Sequence, residues 1–264
     1  MNWRSEAAQT YAFAHRSLLM ASRNVFFLFE LIFWPLIGVI SIGLMARFLN
    51  LSAANSAFVL IGTMALSTVH VCQLDVAYGV LFDIWSKSVK HQFLAPIHVR
   101  HLALGSWLVG VARGLIVFCL LAVVGWSAFG FDFLVPGAIT LALFLFGCFL
   151  TAATVGLFVG ALVVLFGTRA EVSAWSAVNL VLVLCGLYYP ISILPSPVAA
   201  VAATLPLTYF LDAFRAHYGF VPHFEWPWLT GFILSAAYLA LAHWSLAAAI
   251  ARSRKTGLLL KLSE

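Results

Sequence analysis

The sequence predicts an all-α integral membrane protein with six transmembrane helices. Two observations carry this. Of 264 residues, 64% are hydrophobic and only 9% are charged, and the apolar residues gather in six long runs with brief polar punctuation. A soluble globular domain carries about 25% charged residues. A soluble chain of this length would need a mixed-charge coat that this one lacks, so lipid is the solvent for most of its outer face.

The elements follow in order. Residues 1–24 read as an amphipathic helix: Trp3, Ala7, Tyr11, Ala14 and Leu18 recur at three and four, with Arg4, Glu6, Gln9 and Arg16 mostly elsewhere on the wheel. Beside a bilayer, such a helix lies in the interfacial plane. No short apolar run with a small-residue cleavage site opens the sequence, so this segment is expected to belong to the mature protein. Residues 25–264 form the transmembrane domain. Its spans are predicted at 26–44, 57–81, 102–128, 138–166, 172–187 and 228–250, since about 20 residues cross the hydrocarbon.

Six spans place both termini on one side. With the termini inside, eleven Lys and Arg fall on that side and only Arg47 and Arg215 outside, so the positive-inside rule assigns both termini to the cytoplasm. The net charge of +5 is spread without a dense basic stripe, which excludes a nucleic-acid partner. Cys72, Cys119, Cys148 and Cys185 lie in apolar runs without metal-ligand spacing and are expected to be buried small apolar residues. Neither a catalytic motif nor a nucleotide-cradling glycine loop is present, so no catalytic or metal site is expected and any ATP must be handled by another polypeptide.

The cytoplasmic stretch 82–101 is the most informative. Phe82, Trp85, Val89 and Phe93 recur at three and four, Asp83 sits where negative charge suits a helix amino end, and Pro96 stops the pattern. This predicts a short helix over about 83–95. Two readings stand: a helix lying on the bilayer surface, or a docking knob for a partner protein, with Asp83, Trp85, Lys87, Lys90 and His91 as contacts.

Three ionisable residues fall inside the spans: Glu30, Asp75 and Arg113. Asp75 lies about 10 Å and Arg113 about 16 Å from the inner ends of their spans, a difference an Arg stem covers. An Arg113 pair with Asp75 or Glu30 is predicted, either fastening two helices or meeting an anionic head group. His70 and Gln73 stand within a turn of Asp75. Trp126, Phe129, Phe131, Phe133, Trp226 and Trp228 are expected in an outer aromatic belt. Tyr188, Tyr189, Tyr209 and Phe210 are candidates for stacking on a sugar.

Five motifs occur in sequence: Phe33-Trp34-Pro35; Phe93-Leu94-Ala95-Pro96-Ile97-His98; Tyr189-Pro190-Ile191-Ser192-Ile193-Leu194-Pro195; Leu205-Pro206-Leu207-Thr208-Tyr209; and Ala213-Phe214-Arg215. In order and spacing the chain resembles the membrane subunit of an ABC-2 type exporter of the polysaccharide, lipid and drug group. The resemblance covers almost the whole chain. It implies a dimer of two such subunits, two ATP-binding ABC subunits that hold the ATP and magnesium, and no cofactor on this chain. It makes residues 1–24 an interface helix and 83–95 a coupling helix. Short re-entrant helices would then occupy about 188–227, with Tyr188, Tyr189, Pro190, Tyr209 and Phe210 at an outer gate.

The expected function is ATP-driven export of an amphipathic substrate from the cytoplasmic side of the cell (inner) membrane. A lipid-linked glycan is favoured over hydrophobic drugs or lipids. A membrane-embedded lipid-modifying enzyme using His70, Asp75 and Arg113, or an ATP-independent channel, is the reading from another class.

Overall fold

The computed structural model describes residues 3–23, 25–86 and 99–256. Helix α1 (Trp3–Arg23) leads into α2 (Val25–Phe48) and α3 (Ala53–Trp85). After residue 98 come α4 (Val99–Phe129), α5 (Ala138–Phe166) and α6 (Glu171–Leu184). Two short helices, α7 (Ser196–Ala202) and α8 (Pro206–Arg215), precede α9 (Pro227–Thr256). No strand occurs among the described residues.

Five of these helices, α2 to α5 and α9, are long and apolar enough to cross a membrane, and the α7–α8 pair becomes a sixth if its 89° bend is counted within one span. The structure therefore distributes the six apolar runs differently from the sequence reading. The run at 172–187 becomes α6, whose 14 residues reach only about 21 Å, short of a hydrocarbon core of about 30 Å. Gly186 stops it at φ +72°, a left-handed conformation that glycine adopts without strain.

Helix α3 is the axis of the bundle. Its spanning window is 83% buried, against 28% for α2 and for α9. It packs on α2, α4, α5 and α6 at once. Glycines allow two of these approaches. A Cβ on Gly110 of α4 would stand 2.8 Å from the Cys72 carbonyl oxygen, and one on Gly156 of α5 would stand 2.6 Å from Val76 Cβ. Cys72, Cys148 and Cys185 are buried as expected, whereas Cys119 faces outward from α4.

At 33 residues, α3 runs about 50 Å and continues through Trp85. Asp83 and Trp85 thus form the last turn of a spanning helix and do not open a separate one. Helix α1 is tied to this end. Arg16 donates to Asp83 Oδ1 at 2.8 Å and to the Gly79 carbonyl at 3.0 Å, Arg100 pairs with Glu6, and Thr10 meets His101 Nδ1 at 3.1 Å. Phe13, Ser17 and Ala21 turn inward, leaving Trp3, Tyr11 and Leu18 outside the fold. The apolar stripe read from the sequence is therefore the face available to a bilayer.

The expected outer belt divides. Trp126 and Trp226 project outward, but Phe133 is buried against Phe118, with ring centroids 5.6 Å apart. Phe131 stacks on Tyr218, whose hydroxyl donates to the Asp132 carbonyl at 2.9 Å.

Candidate functional site

A cleft of about 430 Å³ opens along one face of α3. Its floor is Thr63, Leu66, Ser67, His70, Val71 and Leu74, a stripe at helical spacing along α3. Helix α2 supplies one wall through Leu31, Trp34, Pro35 and Gly38; Trp175 of α6 and Tyr188 supply the other. Pro35 has no N–H to donate to the Leu31 carbonyl, so this wall carries a gap in its helical ladder.

Polar groups form a line down this apolar and aromatic cleft. The Thr63 hydroxyl donates to the Val59 carbonyl at 2.8 Å and the Ser67 hydroxyl to the Thr63 carbonyl at 3.0 Å. Their hydrogens are thus committed to the backbone and their oxygens remain acceptors. His70 is half-buried and meets Trp175 edge to face, with centroids 6.1 Å apart. Neither of its ring nitrogens has a hydrogen-bond partner among the described residues.

Arg113 of α4 also lines the cleft and donates to Asp75 of α3. Both side chains are almost wholly withdrawn from solvent, at 8% and 5% exposure. The predicted pair with Asp75 is present, and it does two things at once: it ties α3 to α4 and puts its cationic partner on the cleft wall. His70 and Gln73 do not extend it, since neither is hydrogen-bonded to the pair among the described residues. Gln73 is fully buried, with both amide atoms unpartnered among the described residues. Glu30 falls in α2, and its side chain lies outside the described ones.

The five residues expected at an outer gate do not share one surface. Tyr188, 37% exposed, alone reaches the main cleft. The Tyr189 hydroxyl turns back to the Val183 carbonyl at 2.9 Å, closing the end of α6. Pro190 borders a smaller cavity of about 220 Å³. Tyr209 packs on Phe224 at 4.1 Å, and its hydroxyl donates to the Ala203 carbonyl at 2.8 Å. Phe210 is 0% exposed, wedged where Gly147 and Gly231 leave room for its ring. It is a core residue and cannot stack on a substrate.

Lys87, Lys90 and His91 lie outside the described residues. Of the expected docking residues, Asp83 is buried against Arg16, and Trp85 is exposed while its ring leans on Tyr78 and Phe82 at 5.7 and 5.5 Å.

Arg215 is the residue that sequence reasoning missed. It is 5% exposed. It donates to the carbonyls of Gly186 at 2.8 Å, Leu187 at 2.5 Å and Phe58 at 3.1 Å, and its guanidinium carbon lies 3.4 Å from the Phe58 ring centroid. It joins α8, the end of α6 and the amino-terminal end of α3. The signal was available: a lone arginine in an apolar stretch, the criterion applied to Glu30, Asp75 and Arg113. Counting it as an outer-loop cation hid it.

A bundle of apolar helices around a buried spine, with an aromatic cleft and a buried charge pair, is the architecture of a multi-pass membrane protein. The chain matches the model of the ABC-2 type transporter family over residues 8–218 and belongs to that family. It is thus a transmembrane subunit of an ABC transporter, and the family implies an ATP-binding ABC partner on a separate polypeptide. A 44-residue stretch, 17% of the chain, is 39% identical to an uncharacterized protein of Archaeoglobus fulgidus and spans 69% of that protein.

Proposed function

We propose that this subunit forms the membrane half of an ATP-driven exporter in the cell (inner) membrane. It works as a homodimer with two copies of the ATP-binding partner, which hold the ATP and magnesium. Its cargo is an amphipathic molecule taken from the cytoplasmic side, and a lipid-linked glycan is the favoured case over drugs or free lipids. The observation that carries the reading is the cleft on α3, which has aromatic and aliphatic walls for an apolar chain and a polar line for a head group. The distribution of Lys and Arg favours both termini in the cytoplasm, which would turn Trp85 toward the partner. An exposed aromatic ring at the end of the most buried helix is suited to receive the partner's motion.

The test is a tagged chain purified in mild detergent with its neighbouring ATP-binding subunit. Co-purification is expected, with Trp85→Ala lowering ATPase activity in the complex several-fold while the complex stays assembled. If no ATP-binding subunit is retained, or an impermeant thiol reagent labels a cysteine placed at Trp85 from the outer side, the reading fails.

A further inference from the structure

A second cavity, of about 220 Å³, lies beside Arg215, and no residue lines both it and the α3 cleft. Its floor is buried: Phe58 of α3, Cys185, Gly186, and Thr208 and Arg215 of α8. Its rim is exposed at Pro190, Ser192, Val221 and His223. Phe58 stands about 8 Å along α3 from Ala53, so the cavity lies at one end of the bundle and not midway along it. The segment 220–224 closes one side. Asp212 holds that segment, accepting the His223 N–H at 2.9 and 3.1 Å and the Phe224 N–H at 3.1 Å, and Phe220 meets the Phe58 ring edge to face at 5.1 Å.

Two charged side chains line this cavity, one of each sign, and they form no ion bridge with each other. With His223 neutral, the described lining carries no net charge. A lone anion would gain Arg215 but face Asp212, and a lone cation the reverse. Both charges are also largely spent on backbone groups. Arg215 commits three of its five N–H donors to carbonyls, and its buried Nε–H has no partner among the described residues. Asp212 Oδ1 receives only the 3.1 Å limb of the shared His223 N–H, so it keeps a lone pair. What remains for a ligand is donor and acceptor capacity side by side, which neutral hydroxyls satisfy at once. Ser192 adds a hydroxyl at the rim, and Phe58, Phe220 and Phe224 add apolar ring surface. As to size, a cavity of about 150 Å³ holds one benzene ring, and ordinary small-molecule pockets begin at about 300 Å³. The volume here suits one six-membered ring with its substituents.

We infer that this cavity binds one neutral hydroxylated ring, a single pyranose, with its hydroxyls toward Arg215 and Asp212 and its C–H surface on the phenylalanines. A pyranose carries hydroxyls that both donate and accept, together with apolar C–H faces, and so matches the lining on each count. The site is additional to the α3 cleft and does not depend on what that cleft carries. A free monosaccharide and the terminal unit of a glycan share the required chemistry.

The experiment uses the full chain in nanodiscs and saturation-transfer NMR with water-soluble probes. The neutral probes are the methyl glucoside, galactoside and mannoside; the charged ones are the matching uronates, the matching 2-amino sugars as cations, and phosphocholine as a zwitterion. Ser192→Trp, which fills the mouth from an exposed position, isolates the signal of this cavity. The expected result is a saturable signal from a neutral pyranoside that Ser192→Trp abolishes, with an affinity about fivefold or more above that of every charged probe. Asp212→Asn keeps an oxygen for the N–H groups of His223 and Phe224 but removes the carboxylate charge. It should weaken the neutral pyranoside about fivefold and tighten the uronate, whose repulsion is gone. A loosened 220–224 segment alone would weaken both, and that result overturns the place of Asp212 in the site. Methyl maltoside bound as tightly as the monosaccharide identifies the terminal unit of a glycan, and its exclusion identifies a free monosaccharide; both support the assignment. Equal or tighter binding of a uronate, an amino sugar or phosphocholine overturns the neutral class. If no probe gives a signal that responds to Ser192→Trp, the cavity is not a binding site.

Discussion

Replacing Arg215 by Met tests what holds α8, the end of α6 and the amino-terminal end of α3 together. The guanidinium makes three hydrogen bonds to carbonyls of two separate chain segments and covers the Phe58 ring. A hydrogen bond from a charged donor contributes about 1.5–3 kcal/mol, and a desolvated cation–π contact about 2 kcal/mol. These do not add, because the three acceptors share one cation. The Phe58 carbonyl lies in the first turns of α3 and keeps its helical donor, so the orphaned groups are chiefly those of Gly186 and Leu187. The loss is about 3 kcal/mol, which shifts the opening equilibrium of this junction roughly a hundredfold. Cys185 is a native reporter: it is 1% exposed and adjoins Gly186. In a Cys119→Ser background, Arg215→Met should raise the rate of Cys185 modification by an impermeant maleimide about a hundredfold. Arg215→Lys, which keeps the charge but not the fork of donors, should fall between. A rate for Arg215→Met within threefold of the parent would show that the junction is held by something else.

Two further outcomes follow from contacts elsewhere. Asp75→Asn takes the Asp75 carboxylate away from the buried Arg113 guanidinium and should cost about 3–5 kcal/mol, seen as a lower midpoint of thermal unfolding in detergent, and adding Arg113→Gln should recover most of it; a double variant no better than the single one would contradict the pairing. Gly105→Ala would drive a Cβ to 2.6 Å from Phe13 Cβ and 2.9 Å from the Thr10 carbonyl oxygen. It should lift α1 off α4 at about 1–3 kcal/mol and speed proteolysis within residues 3–23, whereas Gly38→Ala, whose nearest neighbour would be Thr63 Cγ2 at 3.8 Å, should leave both stability and cleavage unchanged.

Much of this architecture is written in hydropathy. Helices α2 to α5 and α9 coincide with long apolar runs, because a backbone in lipid must satisfy its own hydrogen bonds and does so by coiling. The Asp75–Arg113 pair was legible for the same reason, since two charges at membrane depth must find each other. The end of α3 was not. Phe82 and Trp85 have the spacing of a new helix and equally of one that continues, and an acidic residue at Asp83 fits either until Arg16 is seen beside it. Nor could the sequence divide Tyr188 from Phe210. Both are aromatic residues in the same irregular stretch, and only the room left by Gly147 and Gly231 makes one a core ring and the other part of the cleft.

The positions of three arginines decide which parts of the cleft can move. Arg215 of α8 holds α3 at Phe58, Arg113 of α4 holds it at Asp75, and Arg16 of α1 holds it at Gly79 and Asp83. From Phe58 to Asp83 is about 38 Å of helix rise, so α3 is fastened near both ends and between them, each time to a different element. Sliding or tilting α3 alone would break charge-assisted contacts at low dielectric, where each is most costly to lose. The walls are held differently. Only 28% of the α2 window is buried, and α6 is a 14-residue helix that ends just before Gly186. A change in cleft width therefore costs least when α2 and α6 move against a fixed α3, which keeps His70 and Arg113 in register while the space between Trp34 and Trp175 opens or closes.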